Sequence, residues 1–63
     1  MNTWQCTLNK HTAPGLSAKD RRMTVPKDDL PYCLDAREVS SIEKMRVGEV
    51  IVDRVGDTWT RLS

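Results

Sequence analysis

Phenylalanine is absent from this chain, and Trp4, Tyr32 and Trp59 are its only aromatic residues among 63. A core therefore has few large side chains besides the two tryptophans, and core packing is the first expectation for both. Long apolar runs are missing as well. The longest purely aliphatic stretch, Val50-Ile51-Val52, is far short of the ~20 residues that span a bilayer. No membrane segment is expected. The opening residues MNTWQCTLNK lack the apolar stretch of a secretory signal. A reducing cytoplasm is the expected setting, with both cysteines as free thiols.

Motifs that carry chemistry are missing too. Cys6, His11 and Cys33 supply three zinc-ligating types, but a closed structural site wants four ligands, usually in close pairs. Cys6 stands in phase with Trp4 and Leu8, where a buried cysteine behaves as a small hydrophobe; Cys33 is expected to be buried as well. Gly15, Gly48 and Gly56 are scattered, so no glycine-rich phosphate loop exists. There is no HxxxH, GxSxG or CxxC. The adjacent acids Asp28 and Asp29 would point apart in an extended loop. A chain this short also has little scaffold to hold a catalytic constellation in place. The expectation is a protein without catalytic activity, cofactor or metal.

What is present reads as one small α+β domain over residues 1–63. Residues 3–8 alternate, with Trp4, Cys6 and Leu8 on one side and Thr3, Gln5 and Thr7 on the other, the period of a half-buried strand. Residues 9–21 are polar, contain the Pro14-Gly15 turn signal and are expected to form a flexible loop. Ser17 with Asp20 there can cap one helical turn. Residues 22–25 alternate again as a short strand that Pro26 ends or confines to an edge. Leu30-Pro31 favours extended backbone. Asp35 with Glu38 forms a capping box, and Val39, Ile42 and Met45 make one apolar stripe, predicting a helix over about 36–45. Glu49–Val55 and Thr58–Leu62 flank Gly56-Asp57, which predicts a hairpin with a two-residue turn. That register sets Val55 opposite Thr58 and Arg54 opposite Trp59. The predicted fold is an antiparallel sheet of three to four strands with a C-terminal hairpin and one helix packed on it.

Charge is segregated although its sum is only +1. Residues 10–27 carry a net +4, residues 28–43 a net −4 and residues 44–63 a net +1. A basic patch beside an acidic one steers charged partners or favours self-association. Tryptophan, tyrosine and arginine are enriched at interface hot spots. Arg54, Trp59, Arg61 and Tyr32 are therefore the candidate protein-binding residues, with a cation–π contact expected between Arg54 and Trp59. A hairpin apolar on both faces, with one helix to cover it, predicts a homodimer. The first functional expectation is binding to a protein partner. Short reading frames beginning at their own Met are common in phages and mobile elements, where they inhibit or regulate a host complex. The alternative is a nucleic-acid binder using Lys10, Lys19, Arg21, Arg22 and Lys27 on phosphates, with Trp4 or Trp59 stacking a base.

Overall fold

The structure is a computed structural model and describes residues 2–63. Four strands, β1 (Thr3–Thr7), β2 (Arg22–Pro26), β3 (Val50–Val52) and β4 (Thr58–Arg61), form one open antiparallel sheet in the order β2-β1-β4-β3. Between β2 and β3 the chain makes a 3₁₀ turn at Lys27–Asp29 and two short helices, α1 (Leu30–Cys33) and α2 (Ala36–Glu43). Among the described residues no helix is long and apolar enough to cross a membrane.

The small α+β architecture follows the sequence pattern. On β1 the alternating side chains Trp4 and Cys6 are buried and Thr3, Gln5 and Thr7 are half-buried. Register carries the same face across the sheet: Val25 lies opposite Trp4, Trp59 opposite Cys6, and Ile51 opposite Trp59. Leu30 of α1, with Ile42 of α2 and Met45 just beyond its end, closes over Trp4, Cys6, Val25 and Trp59 as the core. Asp35 caps α2 as its sequence predicts, accepting the Glu38 N–H at 2.9 Å.

Three local expectations are corrected. Leu30-Pro31 is helical rather than extended, because proline is tolerated in a helix's first turn, where its missing N–H has no partner to lose. Cys33 is exposed, not buried. Helix α1 is a single turn and gives the core one side chain, Leu30, so the next three residues face away. The hairpin register also differs. Its turn spans residues 53–57 rather than Gly56-Asp57 alone, and Val52 rather than Val55 lies opposite Thr58. That shift of three residues is odd, so it exchanges the two faces of β3 relative to β4. Trp59 and Ile51 share the core face, while Val50 and Val52 join Thr58 and Thr60 on the other.

The Asp53 side chain accounts for the longer turn. One carboxylate oxygen accepts the N–H groups of Val55 at 3.1 Å and Asp57 at 2.9 Å, and the other accepts Trp59 Nε1–H at 2.9 Å. The start of the 9–21 loop is tied to the same turn. Asn9 donates from its main-chain N–H to Asp57 at 3.0 Å and from its side chain to the Val55 carbonyl at 2.6 Å. Gly56 holds a φ of +92°, and a Cβ there would lie 2.7 Å from the Asn9 side-chain nitrogen.

Substituting Gly56→Val should lower stability by at least about 1–2 kcal/mol, the cost of left-handed backbone for a residue with a Cβ. Chemical denaturation measures it directly. The two thiols should also separate. Burial pushes the Cys6 thiol from 9.0 up to about 12, with the Asp57 and Asp53 carboxylates adding to the effect. In native buffer a thiol reagent should modify Cys33 quickly and Cys6 only after denaturation. The raised folded-state value means the thiolate is favoured in the unfolded chain. Stability is then full below pH ~9 and falls as pH rises toward 12. Cys6→Ala should flatten that alkaline loss in a pH series of melting curves.

Candidate functional site

The uncovered sheet face is ordered by the strand register. One row runs Thr24, Gln5, Thr60 and Val50; the next runs Arg22, Thr7, Thr58 and Val52. Polar threonines in the middle suit a β surface that meets water. The rows end in exposed valines at β3. With Val47 just before the strand and Val55 just after it, four exposed valines lie within nine residues of sequence. Isolated exposed apolar side chains are ordinary, but a concentrated strip is unusual on a soluble domain.

The two outer strands differ in what they offer. On β2 the alternation of hydrogen bonds follows from Leu8 N–H donating to the Arg21 carbonyl and Lys27 N–H to the Asn2 carbonyl. Odd-numbered residues of β2 therefore pair with β1, and Arg22, Thr24 and Pro26 face outward. Pro26 has no N–H, and the Arg22 N–H is taken by the Lys19 carbonyl at 3.3 Å. This edge is blunted by proline and charge. On β3 the Asp53 N–H donates to the Asp57 carbonyl at 2.9 Å and the Arg61 N–H to the Glu49 carbonyl at 3.1 Å. Glu49, Ile51 and Asp53 thus pair with β4. Val50 and Val52 turn their N–H and C=O groups away from the sheet, with neither proline nor a charged side chain between them.

Beside this open edge lies a groove of about 300 Å³ between α2 and β3. Ile42 and Ile51 line its apolar part, and Arg37, Glu38, Ser41 and Arg54 are among its polar walls. Arg54 reaches across to the start of α2, 3.5 Å from Asp35 and 3.8 Å from Glu38. Arg54 and Asp35 are solvated and Glu38 is half-buried, so the bridge holds α2 to the hairpin only weakly.

The structure does not bring the four candidate protein-binding residues together. Trp59 is 1% exposed and faces Ile51, so the expected Arg54–Trp59 stacking is replaced by a pairing within the core. Arg61 is half-buried. Its guanidinium caps the end of α2 by donating to the carbonyls of Glu43 and Met45, and it lies 5.1 Å from the centroid of the Trp4 ring. Tyr32 is 88% exposed on α1 and Arg54 is exposed in the turn. The basic residues are divided too. Lys10 and Lys19 lie in the loop, Arg22 begins β2, and Lys27 follows its far end, about 17 Å away along a strand. Arg21 is half-buried and donates to the Leu8 carbonyl at 3.5 Å. Trp4 is fully buried, so neither tryptophan presents a face for a base. Among the described residues no cluster of three or more His, Cys, Asp or Glu could hold a metal ion.

No protein family model matches the chain, and no curated protein and no solved structure is significantly similar to it. Val50 and Val52 escape a residue-by-residue reading because the sequence alone does not say which strand ends a sheet. The signal that marks them is a run of β-branched residues bounded by acids, Glu49-Val50-Ile51-Val52-Asp53.

The two arginines should behave differently in urea denaturation. Arg61→Ala removes charge-assisted bonds to helix-end carbonyls and should cost about 1–3 kcal/mol. Arg54→Ala removes a solvated pair and should cost about 0.5 kcal/mol or less.

Proposed function

We propose that this chain is a small binding protein without catalytic activity that engages a protein partner in the cytoplasm. In this reading it acts as an inhibitor or regulator of the type encoded by phages and mobile elements. The observation that carries the proposal is the strip of exposed valines on and around β3, set beside an unpaired strand edge and a partly apolar groove. Apolar area held on a β scaffold loses little freedom on binding, which favours recognition by contact. Arg22 and Lys27 stand at the opposite edge of the sheet, where charge chiefly raises the association rate.

A nucleic acid would have to be held by Lys10, Lys19 and Arg22 without tryptophan stacking. The two readings separate in one capture experiment from a lysate of the source cells. Wild type should retain a specific protein, nuclease treatment should leave it bound, and the Val50→Thr/Val52→Thr double variant should lose it. Threonine preserves shape and β preference while making the strip polar. Retention by the double variant, with loss after nuclease treatment or in a Lys10/Lys19/Arg22 triple alanine variant, would move the nucleic-acid reading into first place.

A further inference from the structure

We propose that Asn9 joins the basic loop to the valine-bearing turn as one cooperative unit, so that residues 9–12 and residues 53–57 order or open together. Asn9 is then a positioning residue for Val55, the last valine of the exposed strip. A side-chain amide has two donors and two acceptor positions. Asn9 uses them all, across both segments. Its nitrogen donates to the Val55 carbonyl at 2.6 Å and to Asp57 Oδ1 at 3.2 Å. Its oxygen accepts the His11 N–H at 2.7 Å and the Thr12 N–H at 2.9 Å. One side chain turns its acceptor to the loop and its donors to the turn.

Asp57 makes this connection obligatory. Among the described residues it is the one buried charged side chain. Every hydrogen bond its carboxylate accepts there comes from the loop: from the Asn9 main-chain N–H, the Asn9 amide and the Thr12 hydroxyl. No lysine or arginine among them pairs with it. Detaching the loop would leave a buried carboxylate without a partner, which is costly, so the turn cannot stay as it is once the loop departs. The turn holds Asp57 in its place in return, because the Val55 and Asp57 N–H groups both donate to Asp53. Gly56 completes the contact. With no side chain it leaves room for the Asn9 nitrogen, which a Cβ would approach to 2.7 Å.

The consequence for recognition rests on the proposed protein-binding role. A partner seated on Val55 that stills the turn also stills residues 9–12, and with them the backbone of Lys10 and His11. The cost of ordering is then shared between the apolar strip and the basic loop.

Hydrogen exchange of the free protein, followed residue by residue by NMR, tests the coupling without any partner. Asn9→Asp keeps the oxygen that accepts from His11 and Thr12, but it cannot donate and it sets a second carboxylate against Asp57. Exchange should rise at least about tenfold at His11 and Thr12, although their own acceptor is retained. It should rise by a similar factor at Val55 and Asp57, which bond to Asp53 and not to Asn9. Met23 and Val25, in the pairing of β2 with β1, report global opening, and each factor is taken relative to them. Ser17→Ala removes a bond confined to the loop, the one from the Asp20 N–H, and should leave Val55 and Asp57 unchanged. If Asn9→Asp does not fold, Thr12→Val decides. It removes only the hydroxyl bond to Asp57 and should speed exchange about threefold on both sides. Faster exchange on one side alone overturns the inference, as does no change on either. An equal response of Val55 and Asp57 to Ser17→Ala overturns it too. None of these results touches the valine strip as a protein-binding surface, which stands or falls with capture by the Val50→Thr/Val52→Thr variant.

Discussion

Three hydrogen bonds converge on the Asp53 carboxylate, and the position of Trp59 depends on them. Two of the donors are main-chain N–H groups of the turn, and the third is the Trp59 indole itself. Together they hold a turn from residue 53 to residue 57 and place Trp59 opposite Ile51. From that pairing follow the core face of β4, its match with Cys6 of β1, and the closure of Leu30, Ile42 and Met45 over the sheet. A slip of one residue would carry Trp59 to the solvent side and leave Trp4 as the one large aromatic under the helices. In a chain without phenylalanine, no other side chain could replace it.

The same register decides what is left over. With Trp59 and Ile51 turned inward, Val50 and Val52 are turned outward, and α1 and α2 are on the wrong face to cover them. Their main-chain groups also face outward because β4 pairs with Glu49, Ile51 and Asp53. Side-chain exposure and backbone exposure therefore coincide on one edge. The other edge carries an arginine and a proline at its outward positions, a common way of discouraging unwanted pairing. This contrast between the edges, more than the amount of apolar surface, singles out β3.

Arginine illustrates how a single residue type divides between structure and surface. Arg61 works inside the fold, where it satisfies carbonyls at the end of α2 and covers the buried Trp4 ring. Arg54 sits in water between two acids and contributes little beyond orienting the start of α2. Exposed charges elsewhere, such as Lys10 and Lys19, have no apolar anchor of comparable size beside them apart from Leu16. Long-range attraction is their natural contribution, and screening by salt limits it.

Much of the fold was legible in the sequence because its signals are local. The alternation of Trp4, Cys6 and Leu8 marks a strand with one buried face, Asp35 with Glu38 marks a helix start, and the β-branched C-terminal runs mark a hairpin. The candidate site was less so. Arg54, Trp59, Arg61 and Tyr32 stand out by residue type, and type does not tell a buried tryptophan or a helix-capping arginine from a surface one. The hairpin register turned on whether an aspartate side chain would capture backbone N–H groups and an indole further along the chain. Periodicity carries no trace of that. Sheet order is likewise non-local: β4 lies beside β1 and β3 lies outermost because of pairings between distant residues. The sequence by itself determined the elements and the apolar residues available to the core. Only the tertiary structure decided which valines lacked a partner, because exposure depends on what every other element has already covered.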